Sequence, residues 1–155
     1  MDQVDLKILS ILIEDVRTPI KAIAEKVFMS PAAVSARINA MRDQGIIKMS
    51  YTVVSPKALG YSFSSFILVK VRSEQRQQFE SFLKSSYHVL YAGYVTGSYS
   101  AIIKAAFATT EEAYEFTRQL EQYGETNMHV VLNQIVEPRV IRIPTSEGET
   151  DTIEI

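Results

Sequence analysis

The stretch TPIKAIAEKVFMSPAAVSARINAMRDQG, Thr18 to Gly45, holds two helix starts and one helix stop. Thr18-Pro19 and Ser30-Pro31 stand twelve positions apart, and Gly45 closes the segment. A Ser or Thr hydroxyl accepts from an orphan amide at a helix start, and the Pro that follows has no N–H to leave orphaned. The apolar residues agree. Ile20, Ile23, Ala24 and Val27 follow the first signal at i, i+3, i+4, i+7, and Val34, Ile38 and Met41 follow the second at i, i+4, i+7. Upstream, Val4, Ile8, Ile11 and Leu12 form another stripe. The spacing predicts three short helices with a tight turn at Phe28-Met29, which is helix-turn-helix geometry.

Downstream the period changes. Ile47, Met49, Tyr51 and Val53 alternate, which predicts a short strand, and Ser55-Pro56 and Gly60 mark a linker. Strands are expected over Phe66–Val71, Val89–Val95, Ala101–Phe107 and from Met128 to about Val136. Helical stripes lie at Phe79, Phe82, Leu83 and at Ala113, Phe116, Thr117, Leu120, the latter behind a Thr109–Glu112 capping box. The order strand, helix, strand, strand, helix, strand is that of an α+β, ferredoxin-like sheet with both helices on one face. The boundaries expected are a helix-turn-helix domain over 1–48, a linker with its short strand over 49–62, a ferredoxin-like domain over 63–143 and an acidic tail over 144–155. Pro144 onward carries Glu147, Glu149, Asp151 and Glu154 with no basic residue and is expected to be loose, with a short β segment at Val140 to Ile143 ahead of it.

Several strands are apolar at more than alternate positions: Phe66-Ile67-Leu68-Val69, Ala101-Ile102-Ile103 and Val130-Val131-Leu132. Both sheet faces are therefore expected to be covered, the second by another copy of the chain.

Composition narrows the class. The chain has 155 residues, 46% hydrophobic, and no cysteine, which excludes disulfides, thiol nucleophiles and Cys-ligated zinc. No apolar run approaches the roughly 20 residues of a membrane span, and Asp2 and Asp5 at the start argue against a secretory signal. A cytoplasmic protein is expected. Residues 1–55 hold seven Lys/Arg against six Asp/Glu, and the rest nine against twelve. A head with so weak a field needs two copies for useful affinity to DNA.

On the third helix, Ala32, Ser35, Ala36, Asn39 and Ala40 lie away from the core stripe. Small side chains admit a helix to the major groove; alanine methyls touch thymine methyls, Asn39 pairs with adenine and Ser35 meets bases or phosphates. A plain solvated helix gives the same pattern. Arg37 lies about 60° from the stripe and has two readings, a DNA contact or an ion pair with Asp5 or Asp43. Lys21, Arg42 and Lys48 are phosphate-contact candidates, and Ser30 is first a helix cap whose free amides can meet a phosphate. His88 and His129 stand in no metal-ligand pattern. No P-loop, nucleophile elbow or Gly-x-Gly-x-x-Gly occurs, and no cofactor is expected.

The chain resembles the leucine-responsive/asparagine-synthase-activator (Lrp/AsnC) family from Asp5 to about Arg142. The matching stretches are Asp5-Leu6-Lys7-Ile8-Leu9, Ser30-Pro31-Ala32-Ala33-Val34-Ser35-Ala36-Arg37-Ile38, Gly45-Ile46-Ile47, Leu59-Gly60-Tyr61 and Val95-Thr96-Gly97-Ser98-Tyr99-Ser100. The resemblance implies a transcriptional regulator that binds double-stranded DNA, a tail that forms a homodimer and often an octamer, and an amino-acid-like effector at subunit interfaces. The effector residues it implies are Gly97, Ser98, Tyr99, Ser100 and Met128. Here the chain departs from the pattern. The family commonly has Gly-Asp-Tyr-Asp where Gly97-Ser98-Tyr99-Ser100 stands, and often a threonine where Met128 stands. Serine offers hydrogen bonds but no charge for an effector's ammonium group. Gly97 also reads as a plain hairpin-turn glycine, and Tyr99 as an interface aromatic.

Two other functions fit the same layout: an enzyme like the tetrapyrrole decarboxylases, which use basic and His residues in the tail-domain cleft, and an effector-binding or assembly module without DNA affinity. The chain has few such basic and His residues, so the expectation is a regulator and not an enzyme.

Overall fold

The computed structural model describes residues 1–50, 52 and 54–136. They form two compact units with the boundary after Thr52. The strand expected at 47–53 does not form at its described positions: residues 46–50 are irregular, and Tyr51 and Val53 lie outside the described residues. So do the β segment at Val140–Ile143 and the acidic tail.

The head is three helices, α1 (Gln3–Glu14), α2 (Ile20–Val27) and α3 (Pro31–Asp43). Its core is Ile8 of α1, Ile23, Ala24 and Val27 of α2, and Val34, Ile38 and Met41 of α3, all buried. These are the residues that the 3.6-residue period places on one face of each helix. Ser30 caps α3 by accepting from the Ala33 amide at 3.2 Å, with Pro31 as the first helical residue. The start of α2 differs from expectation. Pro19 itself is the cap residue, and no side chain caps the helix. The Thr18 hydroxyl turns back and donates to the Asp15 carbonyl at 2.8 Å, closing the turn after α1 instead.

Between α2 and α3 the chain turns through Phe28, the one described non-glycine residue with positive φ, at 55°. Met29 donates to the Ala24 carbonyl at 3.0 Å and packs on the head core. This is a Schellman stop, a position where glycine normally avoids the left-handed penalty. Phe28 bears that penalty and is 93% exposed.

The second unit is β1 (Phe63–Val71), α4 (Arg76–Ser85), β2 (Val89–Tyr94), β3 (Ala101–Phe107), α5 (Thr110–Glu121) and β4 (Gly124–Val130). The antiparallel sheet has strand order β2-β3-β1-β4. Ile67 and Val69 of β1 and Ala101, Ile103, Ala105 and Phe107 of β3 meet Phe79 and Leu83 of α4 and Ala113, Phe116 and Leu120 of α5. Both helices therefore cover one face. Thr109 caps α5 by accepting from the Glu112 amide, while the Glu112 carboxylate reaches one residue further back, to the Ala108 amide at 2.9 Å.

The last strand starts four residues before its expected start and ends at Val130, not near Val136. Gly124, Glu125 and Asn127 are weak strand formers, yet each pairs with β1, at Val71↔Gly124, Lys70↔Glu125 and Leu68↔Asn127. Tertiary pairing overrides local preference here. Gly124 permits it, because a Cβ at that position would lie 2.0 Å from the Lys70 carbonyl oxygen.

Candidate nucleic-acid interface

Helix α3 has two unlike sides. Val34, Ile38 and Met41 are buried, while Ala32, Ala36, Asn39, Ala40 and Arg42 are exposed and Ser35 is half-buried. The exposed side is a ridge of methyl groups with one amide. Arg42 Nη1 lies 3.4 Å from Asn39 Oδ1, one helical turn away. Lys21 in the first turn of α2 and Lys48 beyond α3 are exposed as well.

Arg37 behaves differently from these cations. It sits on the flank of α3 toward α1, only 31% exposed, and its Nη1 donates to Asp2 Oδ2 and to Asp5 Oδ1, each at 2.7 Å. Of the two partners expected, Asp5 is the one engaged, and Asp2 joins it. The other oxygens of both carboxylates close the capping box of α1: Asp2 Oδ1 accepts from the Asp5 amide and Asp5 Oδ2 from the Asp2 amide, both at 2.9 Å. These amide bonds first, and then the Arg37 guanidinium, hold both carboxyls below the ordinary carboxylate range. Bonds to Asp5 and then Asp2 raise the guanidinium in turn. Sequence reasoning used Asp2 only as evidence against a leader. The Asp2-x-x-Asp5 spacing is a capping-box signal that would have marked it, with Asp in place of the usual Glu or Gln.

In the second unit, Gly97 takes φ 118° in the β2–β3 turn. Gly97 and Ser98 are exposed. Ser100 is tied inward: its hydroxyl accepts from the Val71 amide at 2.9 Å and donates to the Val69 carbonyl at 3.3 Å. The Tyr99 hydroxyl donates to Glu125 Oε1 at 3.4 Å. Glu125 is on the face of the sheet away from the helices. Met128 is on the helix side, its sulfur 3.5 Å from the Thr117 hydroxyl and its chain packed on the core. Met128 and Glu125, the partner of Tyr99, thus lie on opposite sides of the sheet.

The face of the sheet away from the helices is mixed. Phe66, Leu68 and Ile102 lie among Lys70, Lys104, Glu125, Asn127 and His129, and Phe66 is 39% exposed. His88 packs against Phe107 and Phe116 and faces the Ala106 carbonyl at 3.1 Å. Among the described residues no group of three His, Asp or Glu is placed to hold a metal ion, and no helix is long and apolar enough to cross a membrane.

A helix pair with a buried core and an exposed methyl ridge, followed by a ferredoxin-like unit, is the layout of a helix-turn-helix head joined to a separate α+β domain. Residues 1–48 match the family model for winged helix-turn-helix DNA-binding domains, and residues 64–141 match that for the Lrp/AsnC ligand binding domain. The chain is 31% identical over 116 residues to the HTH-type transcriptional regulator FL11 of Pyrococcus horikoshii, covering 75% of this chain and 77% of that protein. Its fold superposes on LrpC of Bacillus subtilis with a TM-score of 0.81 at 25% identity, covering 89% of this chain and 99% of the other. It also superposes on a transcriptional regulator of Neisseria meningitidis solved as its L-Met complex, with a TM-score of 0.78 at 24% identity over 88% and 93% of the two chains. The chain belongs to the Lrp/AsnC family of transcriptional regulators.

Proposed function

We propose that the exposed side of α3 reads operator bases and that two heads are brought to one duplex by pairing of their second units. The carrying observation is the sidedness of α3: every large apolar residue is turned inward, and Ala32, Ala36, Asn39 and Ala40 are left outward. Alanine methyls meet thymine methyls, Asn39 pairs with adenine and Ser35 supplies a hydroxyl at the edge. Lys21, Arg42 and Lys48 meet phosphates, as do the amides at the Ser30-capped end of α3; these contacts add affinity without sequence preference. Arg37 is held by carboxylates and is assigned no phosphate here.

A second copy covers Phe66, Leu68 and Ile102 and makes the homodimer, from which an octamer can be built. Two heads then meet half-sites about one helical turn apart, or a multiple of it. The Gly97–Ser100 turn, with Ser98 exposed and Tyr99 half-buried, contributes to an effector site completed by a neighbouring subunit, on whose Met128 the pocket wall then depends. The Neisseria relative's bound L-Met makes amino acids the first class to try. The protein acts in the cytoplasm as a regulator, not as a catalyst.

The test is fluorescence titration of the full chain against its own promoter fragment at two salt concentrations, with and without a panel of amino acids. Tight binding to the promoter that weakens with salt supports the function. Absence of binding at low salt supports an assembly module instead.

A further inference from the structure

The Asp2–Asp5–Arg37 cluster joins residues 32 and 35 positions apart. Each carboxylate uses one oxygen to close the start of α1 and the other to hold the guanidinium on α3. Two charge-assisted bonds thus tie the first turn of one helix to the middle of another, two more fix the carboxylates that make them, and such bonds are directional. The apolar core that Ile8 shares with Val34 and Ile38 resists separation of the helices but is not directional about the helix axis. The cluster supplies what that packing lacks, a fixed angle for α3 about its own axis.

We propose that Arg37, with Asp2 and Asp5, is a positioning clamp that sets the rotation of α3 for base reading and makes no phosphate contact of its own. By the 3.6-residue period Arg37 lies about 100° around the axis from Ala36 and about 160° from Asn39, so a small rotation at the clamp moves the whole methyl ridge. The inference rests on base reading by α3. It adds that specificity depends on two acidic residues at the amino terminus, where negative charge on a DNA-binding head would otherwise only oppose affinity.

The test uses the full chain, a duplex selected from a random library by the unaltered protein, and a scrambled duplex. Arg37→Ala and Asp5→Asn are compared with wild type, folding being checked by circular dichroism. The clamp predicts that both variants lose tenfold or more for the selected duplex, keep their affinity for the scrambled one and keep the same dependence on salt. Asp5→Asn is the milder change and carries the test if Arg37→Ala does not fold. The proposal is overturned if Arg37→Ala lowers the salt slope by about 1 on both duplexes, which is the signature of a lost phosphate contact. It is equally overturned if Asp5→Asn tightens binding to both by freeing the guanidinium, or if the folded variants bind as wild type does. A library that yields no enriched duplex contradicts base reading itself, and the clamp falls with it.

Discussion

At the scale of single residues, Phe28 and the Arg37 pair of carboxylates show how local chemistry shapes the head. Phe28 takes the left-handed conformation that stops α2 and leaves its ring in solvent. No contact in the head offsets the steric cost, which is about 1 kcal/mol for a non-glycine residue. Phe28→Gly is expected to raise the head's stability by about 1 kcal/mol, read as a higher urea midpoint at unchanged slope. A lower midpoint would mean that the ring does more than the chain alone reveals. The two carboxyls carry a pH dependence. Their folded values are depressed, so their contribution is full above the ordinary carboxylate range and is lost as pH falls through the depressed values. The thermal midpoint of wild type is expected to exceed that of Asp5→Asn near neutrality, and the gap is expected to close as the solution is taken well below pH 4. A gap that stays constant would show that the charges are not the cause.

At the scale of elements, legibility followed the strength of local signals. Helix α3 was readable to the residue because Ser30, Pro31 and the Val34-Ile38-Met41 stripe all act within one helix. The start of α2 was misplaced by one position because the Thr18 hydroxyl had two competing partners, the α2 amides as donors and the Asp15 carbonyl at the end of α1 as acceptor, and the latter prevails. Strand β4 was the hardest. Its first residues, Gly124 to Asn127, lie ahead of the expected start at Met128, and the reason they pair lies on β1, more than fifty residues away. Gly124 is where that pairing is tightest. Gly124→Ala is expected to lower stability by about 1–3 kcal/mol, since backbone and not a flexible side chain must give way. Unfolding by denaturant measures it, and an unchanged midpoint would contradict so close an approach of β4 to Lys70. The DNA-facing residues of α3 were legible as a pattern of small side chains, but the engagement of Arg37 was not, because a period places a residue on a flank without naming its partner.

At the scale of the whole molecule, helices cover one face of the sheet, and among the described residues of the second unit none forms a layer above Phe66, Leu68 and Ile102. The unbroken apolar runs in β1 and β3 made this face visible in sequence, although the lysines, Glu125, Asn127 and His129 that share it show a more polar surface than the runs alone suggested. Leu68→Asp places a charge at its centre. Light scattering is expected to give a dimer or larger for wild type and a monomer for the variant, with at least a tenfold loss of operator affinity because paired heads are lost. An unchanged mass would place the assembly surface elsewhere.

The account depends most on the outward side of α3. Selection of duplexes from a random library by wild type and by Asn39→Ala, run in parallel, tests it directly. The account predicts a two-part consensus for wild type, and for the variant the same consensus with preference relaxed at one base pair in each half, at a cost of about 1–3 kcal/mol on the preferred site. An unaltered consensus, or an equal loss on every sequence, would contradict base reading by this helix.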